Sequence, residues 1–199
     1  MTGERSDFEN EVRSLVARVL AGVIDGPTTA TEAQDASEDT SAALDPGGRI
    51  AIGSDHGGFD LKEILKGKLT DAGWLVEDCG TKSTDACDYP VFAHAVARQV
   101  AKGTCVAGIM IDGAGIGSAM AANKVPGVRA AACYDLSTAR NSREHNRANL
   151  LTLGAGLTGA GLAWQIVQEW LATPWGRGRH HKRVTLINEI ESTYIRSEA

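Results

Sequence analysis

The sequence predicts an α/β fold, a five-stranded parallel sheet covered by helices on both faces. Three observations point there. From Arg49 onward, short β-branched or small apolar runs alternate with amphipathic stretches of roughly ten to fifteen residues, the mark of strand–helix–strand units. Apolar residues in the runs are nearly continuous, as strands buried on both faces require. A glycine-rich turn follows the third run directly, where such folds carry ligand loops.

Each element can be justified in order. Residues 8–24, FENEVRSLVARVLAGVI, place Phe8, Val12, Leu15, Val16, Val19, Leu20 and Val23 at steps of three and four, one stripe on a helix. Asp7 or Ser6 can cap it, and Gly26-Pro27 ends it. Residues 27–48 are rich in Thr, Ala, Ser, Asp and Glu, with almost nothing large to bury, and read as a flexible linker. This divides the chain into a helix at 1–26, a linker at 27–48 and a folded domain at 49–199. In that domain RIAIGSD is a strand and FDLKEILKGKLTDAG a helix ended by Gly73. WLVEDCG is a strand and YPVFAHAVARQVAKG a helix. CVAGIMID is a strand, with a helix from about Gly117. GVRAAACYD and LLTLGA are strands, separated by the helix LSTARNSREHN. GLAWQIVQEWLA and HKRVTLINEIESTYI are the last two helices.

Composition narrows the function. The chain has 199 residues, 43% of them apolar, enough for one sizeable core. Its net charge of −5 argues against a nucleic-acid partner, which calls for a basic face. No window approaches the eighteen apolar residues of a membrane span, and MTGERSDFENE lacks the basic start and apolar core of a secretory signal. Cys79, Cys87, Cys105 and Cys133 form no CxxC pair and read as small buried hydrophobes in a reducing cytoplasm.

Right-handed crossovers put every strand's C-terminal end on one edge. Asp55 and His56 follow the first strand, Asp112 the third and Asp135 the fourth, so they are expected on one rim. Gly113, Gly115 and Gly117 remove side chains there, letting backbone N–H groups approach a ligand, and the helix after them adds a positive dipole end. The loop G-A-G-I-G-S departs from G-x-G-x-x-G because Ser118 stands at the third glycine. Asp135 nevertheless lies near the place of a ribose-binding acid, which keeps a dinucleotide site open as an alternative. RGRHHKR, Arg177 to Arg183, is a basic cluster whose arginines suit phosphate oxygens.

SDHGGFDLK, DYP, GIMIDGAGIGSAMAANKVPGVRA, SREHNRANLL and GRHHKR occur in that order over about residues 49–190. Together they resemble the family of ribose-5-phosphate isomerase B and the galactose-6-phosphate isomerase subunits. The resemblance implies a Rossmann-like α/β/α sandwich, a dimer or tetramer with active sites shared between subunits, and aldose–ketose isomerisation of a sugar phosphate without metal or organic cofactor. Carried over by position, His145 opens the furanose ring. Asp55 and His56 contact the sugar and its phosphate side, and Tyr89 lines the site. Asn146 and the amides of Gly113, Gly115 and Gly117 stabilise the enediolate oxygen, while Arg179 and Arg183 bind phosphate. Where many members have a cysteine that abstracts the C2 proton, this chain has Asp112, expected to serve as the base. A family threonine appears as Ala114 and a phosphate arginine as Gly156. Some relatives lacking the cysteine use a glutamate where this chain has Ser118. A family member that has lost catalysis and acts in binding or assembly is the second alternative. The N-terminal helix and linker resemble the encapsulation peptides of bacterial microcompartment cargo, which implies a shell or cargo protein as partner for residues 7–24 and a cytoplasmic location, inside such a compartment.

Overall fold

Leucine, isoleucine and alanine at alternating positions build two apolar layers around one sheet. The computed structural model describes residues 43–195. The helix expected at 8–24 and the linker up to residue 42 lie outside the described residues. In chain order the elements are β1 (Arg49–Ser54), a 3-10 turn (His56–Gly58), α1 (Phe59–Asp71), β2 (Leu75–Asp78), α2 (Tyr89–Ala101), β3 (Ala107–Asp112), α3 (Ile116–Ala122), β4 (Ala130–Ala132), α4 (Leu136–Asn146), β5 (Leu150–Gly154), α5 (Ala160–Ala172) and α6 (Arg179–Tyr194). The five strands run parallel in the order β2-β1-β3-β5-β4. The chain leaves β1 in one direction for β2 and returns on its other side as β3. The switch point between β1 and β3 opens a crevice at their C-terminal ends, where open α/β sheets hold ligands.

Strand side chains alternate between the layers, as a period of two dictates. Ile50, Ile52, Ile109, Ile111, Leu151 and Leu153 pack with Leu65 and Leu69 of α1 and with Ile166, Val167 and Trp170 of α5. Ala51, Met110 and Leu150 face the other way, onto Ala93, Val96 and Ala97 of α2. Each buried Leu or Ile contributes about 1.5–3 kcal/mol relative to exposure, so these two layers dominate the stability.

The edge strands are shorter than the sequence suggests. GVRAAACYD yields only Ala130–Ala132, paired to β5 from Ala130↔Leu150 to Ala132↔Thr152. Small residues at an edge offer little to pack, and the chain is soon diverted into the cap of α4. There the Asp135 carboxylate accepts the Thr138 amide hydrogen at 2.7 Å in a capping box.

Lys62 on α1 is fully buried. Its ammonium donates to both oxygens of Asp78 at 3.0 and 2.9 Å and to the carbonyls of Gly80 and Thr81 at 2.9 Å each. Burial alone would raise the Asp78 carboxyl, but bonds from Lys66, Lys62 and the Gly80 amide outweigh it and hold the group below the usual carboxylate range. This staple fixes the chain where it leaves β2.

Candidate active site

The loop after β3 is built around one carboxylate. Asp112 is 4% exposed. Its Oδ1 accepts the amide hydrogens of Ala114 at 2.8 Å and of Gly115, and its Oδ2 accepts the amide hydrogen of Ser118 at 3.0 Å and the Ser118 hydroxyl. The backbone curls this tightly because Gly115 sits at φ +80°, and a Cβ there would lie 3.0 Å from the Leu153 carbonyl carbon. Thr152 on β5 pins the turn by donating to the Gly115 carbonyl at 2.7 Å.

A carboxylate has about four acceptor positions, and all four are taken. Where Asp112 was expected over a sugar carbon, its side chain turns inward and closes its own loop. The cause is local, because three amides and a hydroxyl lie within reach of a side chain too short to extend past them. Ser118 is also fully buried and faces Asp112.

Around this loop the rim collects the other N-terminal candidates. The Asp55 amide donates to the Ile111 carbonyl at 3.1 Å, which lays the β1 loop against the end of β3. The Asp55 carboxylate accepts the Gly58 amide hydrogen at 3.0 Å and caps the 3-10 turn. His56 stays exposed, its Nδ1 3.2 Å from the amide nitrogen and 3.2 Å from the carbonyl oxygen of Cys87. Tyr89 opens α2, and its ring lies over Gly117 so closely that a Cβ there would be 2.5 Å from Cζ. The structure thus brings Asp55, His56, Tyr89, Asp112, Gly113, Gly115 and Gly117 together at the C-terminal ends of β1 and β3. Asp135, expected on the same rim, is used as the cap of α4.

The remaining candidates gather elsewhere. α4 runs back from β4 to the start of β5, so His145 and Asn146 lie at the N-terminal edge of the sheet. Leu150 pairs with Gly108 and Gly154 with Asp112. Four strand steps of about 3.3 Å therefore separate the level of these residues from the glycine loop, roughly 13 Å. Beside them stands the N-terminus of α6, tied to α4 by the Gly176 amide donating to the Glu144 carbonyl at 2.8 Å. His145 stacks on His180 with ring centroids 4.2 Å apart and planes 14° apart. Asn141 holds the His145 Nδ1 at 2.9 Å. Arg179 and Arg183 are exposed in the first turn and a half of α6.

This foot of the molecule is strongly cationic. Arg143 is 6% exposed, donates to the Ala148 carbonyl at 2.6 Å and lies 5.0 Å from the Trp170 ring centre. Burial, then the neighbouring Arg147 and Arg129, push its guanidinium down to about 10. Burial, then His145, Arg179 and Arg183, lower the His180 imidazole. Sequence reasoning passed over His180, although GRHHKR contained it, and took Cys87 for a core residue. Cys105 and Cys133 are indeed buried, whereas Cys79 and Cys87 are only partly so. Among the described residues, no group of three or more His, Cys, Asp or Glu is placed to hold a metal ion.

Residues 50–187 match the model of the Ribose/Galactose Isomerase family. Ribose-5-phosphate isomerase B of Escherichia coli (strain K12) is 43% identical over 143 residues, covering 72% of this chain and 96% of the relative. A solved structure of Clostridium thermocellum ribose-5-phosphate isomerase B is 49% identical with a TM-score of 0.72, over 73% of this chain and 99% of the other. Ribose-5-phosphate isomerase B from Mycoplasma genitalium, solved with bound ribulose-5-phosphate, is 39% identical with a TM-score of 0.71, over 72% of this chain and 96% of that one. With residues 50–187 matched by the family model and relatives above 40% identity covered almost end to end, the chain belongs to the ribose/galactose isomerase family.

Proposed function

We propose that this protein interconverts a phosphorylated aldose and its ketose, ribose 5-phosphate and ribulose 5-phosphate, through an enediolate. The observation that carries the proposal is the foot cluster, an acid–base imidazole, His145, beside exposed Arg179 and Arg183 at a helix start. Arginine forks suit a phosphate, and the helix N-terminus adds to their field. His145 protonates the ring oxygen and takes the hydroxyl proton as the furanose opens. Amides at the exposed side of the glycine loop, with Asn146, face the developing oxyanion, where preorganised donors lower the barrier. Asp55, His56 and Tyr89 line the sugar. Asp112, the sequence's candidate for the proton shuttle, is assigned instead to holding the loop, because its acceptor positions are already occupied.

Rim and foot lie at opposite edges of one sheet, which supports an active site completed by a second copy of the chain. The outward face of α6 supports this too. Ile190 is 62% and Tyr194 81% exposed, more apolar surface than a lone helix leaves in water without a partner.

Incubating the protein with ribose 5-phosphate and following ribulose 5-phosphate tests the reading. Turnover is expected, with His145→Ala losing about 10²–10⁴-fold, the usual contribution of a positioned acid–base group. Failure to convert either pentose or hexose phosphates overturns it. The locked Asp112 carboxylate favours one second reading, a sugar-phosphate binder without catalysis, which calorimetric binding with no conversion would identify. The dinucleotide alternative is weaker, since Asp135 is committed to capping α4.

Docking of residues 7–24 to a shell or cargo protein of a cytoplasmic microcompartment is a separate proposal, resting on the apolar stripe in the sequence. A chain lacking residues 1–45 should keep its fold and lose recruitment. No described helix is long and apolar enough to cross a membrane.

A further inference from the structure

We propose that Cys87, paired with His56, is the base that moves the sugar proton. The inference rests on the isomerase reading above and fills the gap left by the inward-turned Asp112. The thiol sulfur lies 4.0 Å from His56 Nδ1, and the same nitrogen is 3.2 Å from the Cys87 amide nitrogen. With Nδ1 accepting that amide hydrogen, the ring carries its own proton on Nε2. Nδ1 then faces residue 87 as a base beside a nucleophile.

The position of the pair is set from two sides. On one side, a Cβ on Gly57, next to His56, would lie 4.0 Å from the Gly113 amide nitrogen, at ordinary contact distance. On the other, Tyr89 covers Gly117 from two residues beyond Cys87. Cys87, held to His56 and two residues before Tyr89, therefore belongs to the same rim as the glycine loop whose amides are to receive the enediolate. The other cysteines are unsuited. Cys105 and Cys133 are buried, with their thiols pushed up chiefly by burial. Burial, then Glu77, pushes Cys79 up to about 11. Cys87 is only partly buried and is the cysteine whose thiol lies beside an imidazole.

The step balances without any co-reactant. Nδ1 of His56 lets go of the Cys87 amide hydrogen and takes the thiol proton in its place, giving thiolate and imidazolium. The thiolate removes the proton from C2 of the open-chain aldose, and the C2–H electron pair forms the C1–C2 double bond as the C1 oxygen becomes negative. The imidazolium protonates the C1 oxygen, the thiol returns its proton to C1 as the imidazole takes the C2 hydroxyl proton and the C2 carbonyl forms, and the imidazolium then gives its proton back to the thiolate.

The test compares Cys87→Ala and Cys87→Ser with the wild-type chain in deuterated water, reading both ribulose 5-phosphate formation and deuterium entry into the sugar. Both variants are expected to lose about 10²–10⁴-fold in both readouts with KM nearly unchanged, since serine keeps the shape but not the acidity of cysteine. Iodoacetamide is expected to alkylate Cys87 first, to abolish turnover on the otherwise intact wild-type chain, and to be slowed by ribose 5-phosphate. This arm holds even where a variant folds poorly. Wild-type turnover in Cys87→Ser, or full activity after alkylation mapped to Cys87, overturns the proposal alone. A wild-type chain without turnover sinks the isomerase reading and this inference with it.

Discussion

The rim and the foot of the sheet use opposite electrostatic strategies. At the rim a single carboxylate is surrounded by amides and a hydroxyl that all donate to it, so the charge is satisfied and the loop is rigid. At the foot burial and then the neighbouring Arg147 lower the Arg129 and Arg143 guanidiniums, and His145, His180, Arg179 and Arg183 crowd together near Glu144. Local satisfaction serves architecture, because every group already has what it needs. Local excess serves binding, because the missing countercharge is one a ligand can supply. A phosphate suits the foot and an uncharged or developing oxyanion suits the rim.

The largest effect is expected where the two regions must cooperate. His56→Ala and His145→Ala should each be nearly inactive. Mixed under conditions that exchange subunits, they should recover about a quarter of wild-type sites, since random pairing makes half the dimers mixed and gives each one intact site. No recovery on mixing two correctly folded variants would separate the foot from the catalytic site.

Next comes the stability of the rim. Asp112→Ala strands several buried donors and should cost about 3 kcal/mol, read by denaturant melting, at about 1–3 kcal/mol for an unsatisfied group. Asp112→Asn, which keeps one carbonyl oxygen, should lose less. At the foot the sign reverses. Arg183→Gln should leave the melting temperature equal or slightly higher while weakening binding of ribose 5-phosphate about tenfold, the equivalent of one charge-assisted bond of about 1.5 kcal/mol. A clear loss of stability in Arg183→Gln would mean the foot is satisfied within the chain after all.

The smallest effects are in pH dependence. The folded state depresses the Asp78 carboxyl, so its contribution is complete above the ordinary carboxylate range and lost as pH falls through its lowered folded value. His180 is depressed too, and for an imidazole this means stability declines as pH falls below about 6.5, where the unfolded chain begins to bind the proton first. His180→Phe should remove that second slope and leave the first.

Long periodic elements were the readable part of this fold. LSTARNSREHN becomes α4 over the same residues because Asp135 and Thr138 form a local cap that the sequence displays. Edge strands were less readable, since Ala130–Ala132 end where pairing with β5 ends rather than where their apolar run does. The candidate residues could be named from the sequence by type and loop, but the surroundings of two histidines depended on neighbours far along the chain. His56 meets Cys87 across 31 positions, and His180 reaches His145 only after the α5 helix has returned the chain to the foot. Asp112 is the opposite case, because the partners that occupy its oxygens are only two to six residues along the chain.

By itself the sequence determined what depends on neighbours along the chain, namely strand and helix periods, caps, the glycine turn and the motif order that marks the family. Only the tertiary structure decided which charges are satisfied and which are exposed, because that depends on where crossovers of fixed hand deliver each loop. Those crossovers set a locked carboxylate with a cysteine–histidine pair at one edge of the sheet, and unbalanced cations at the other.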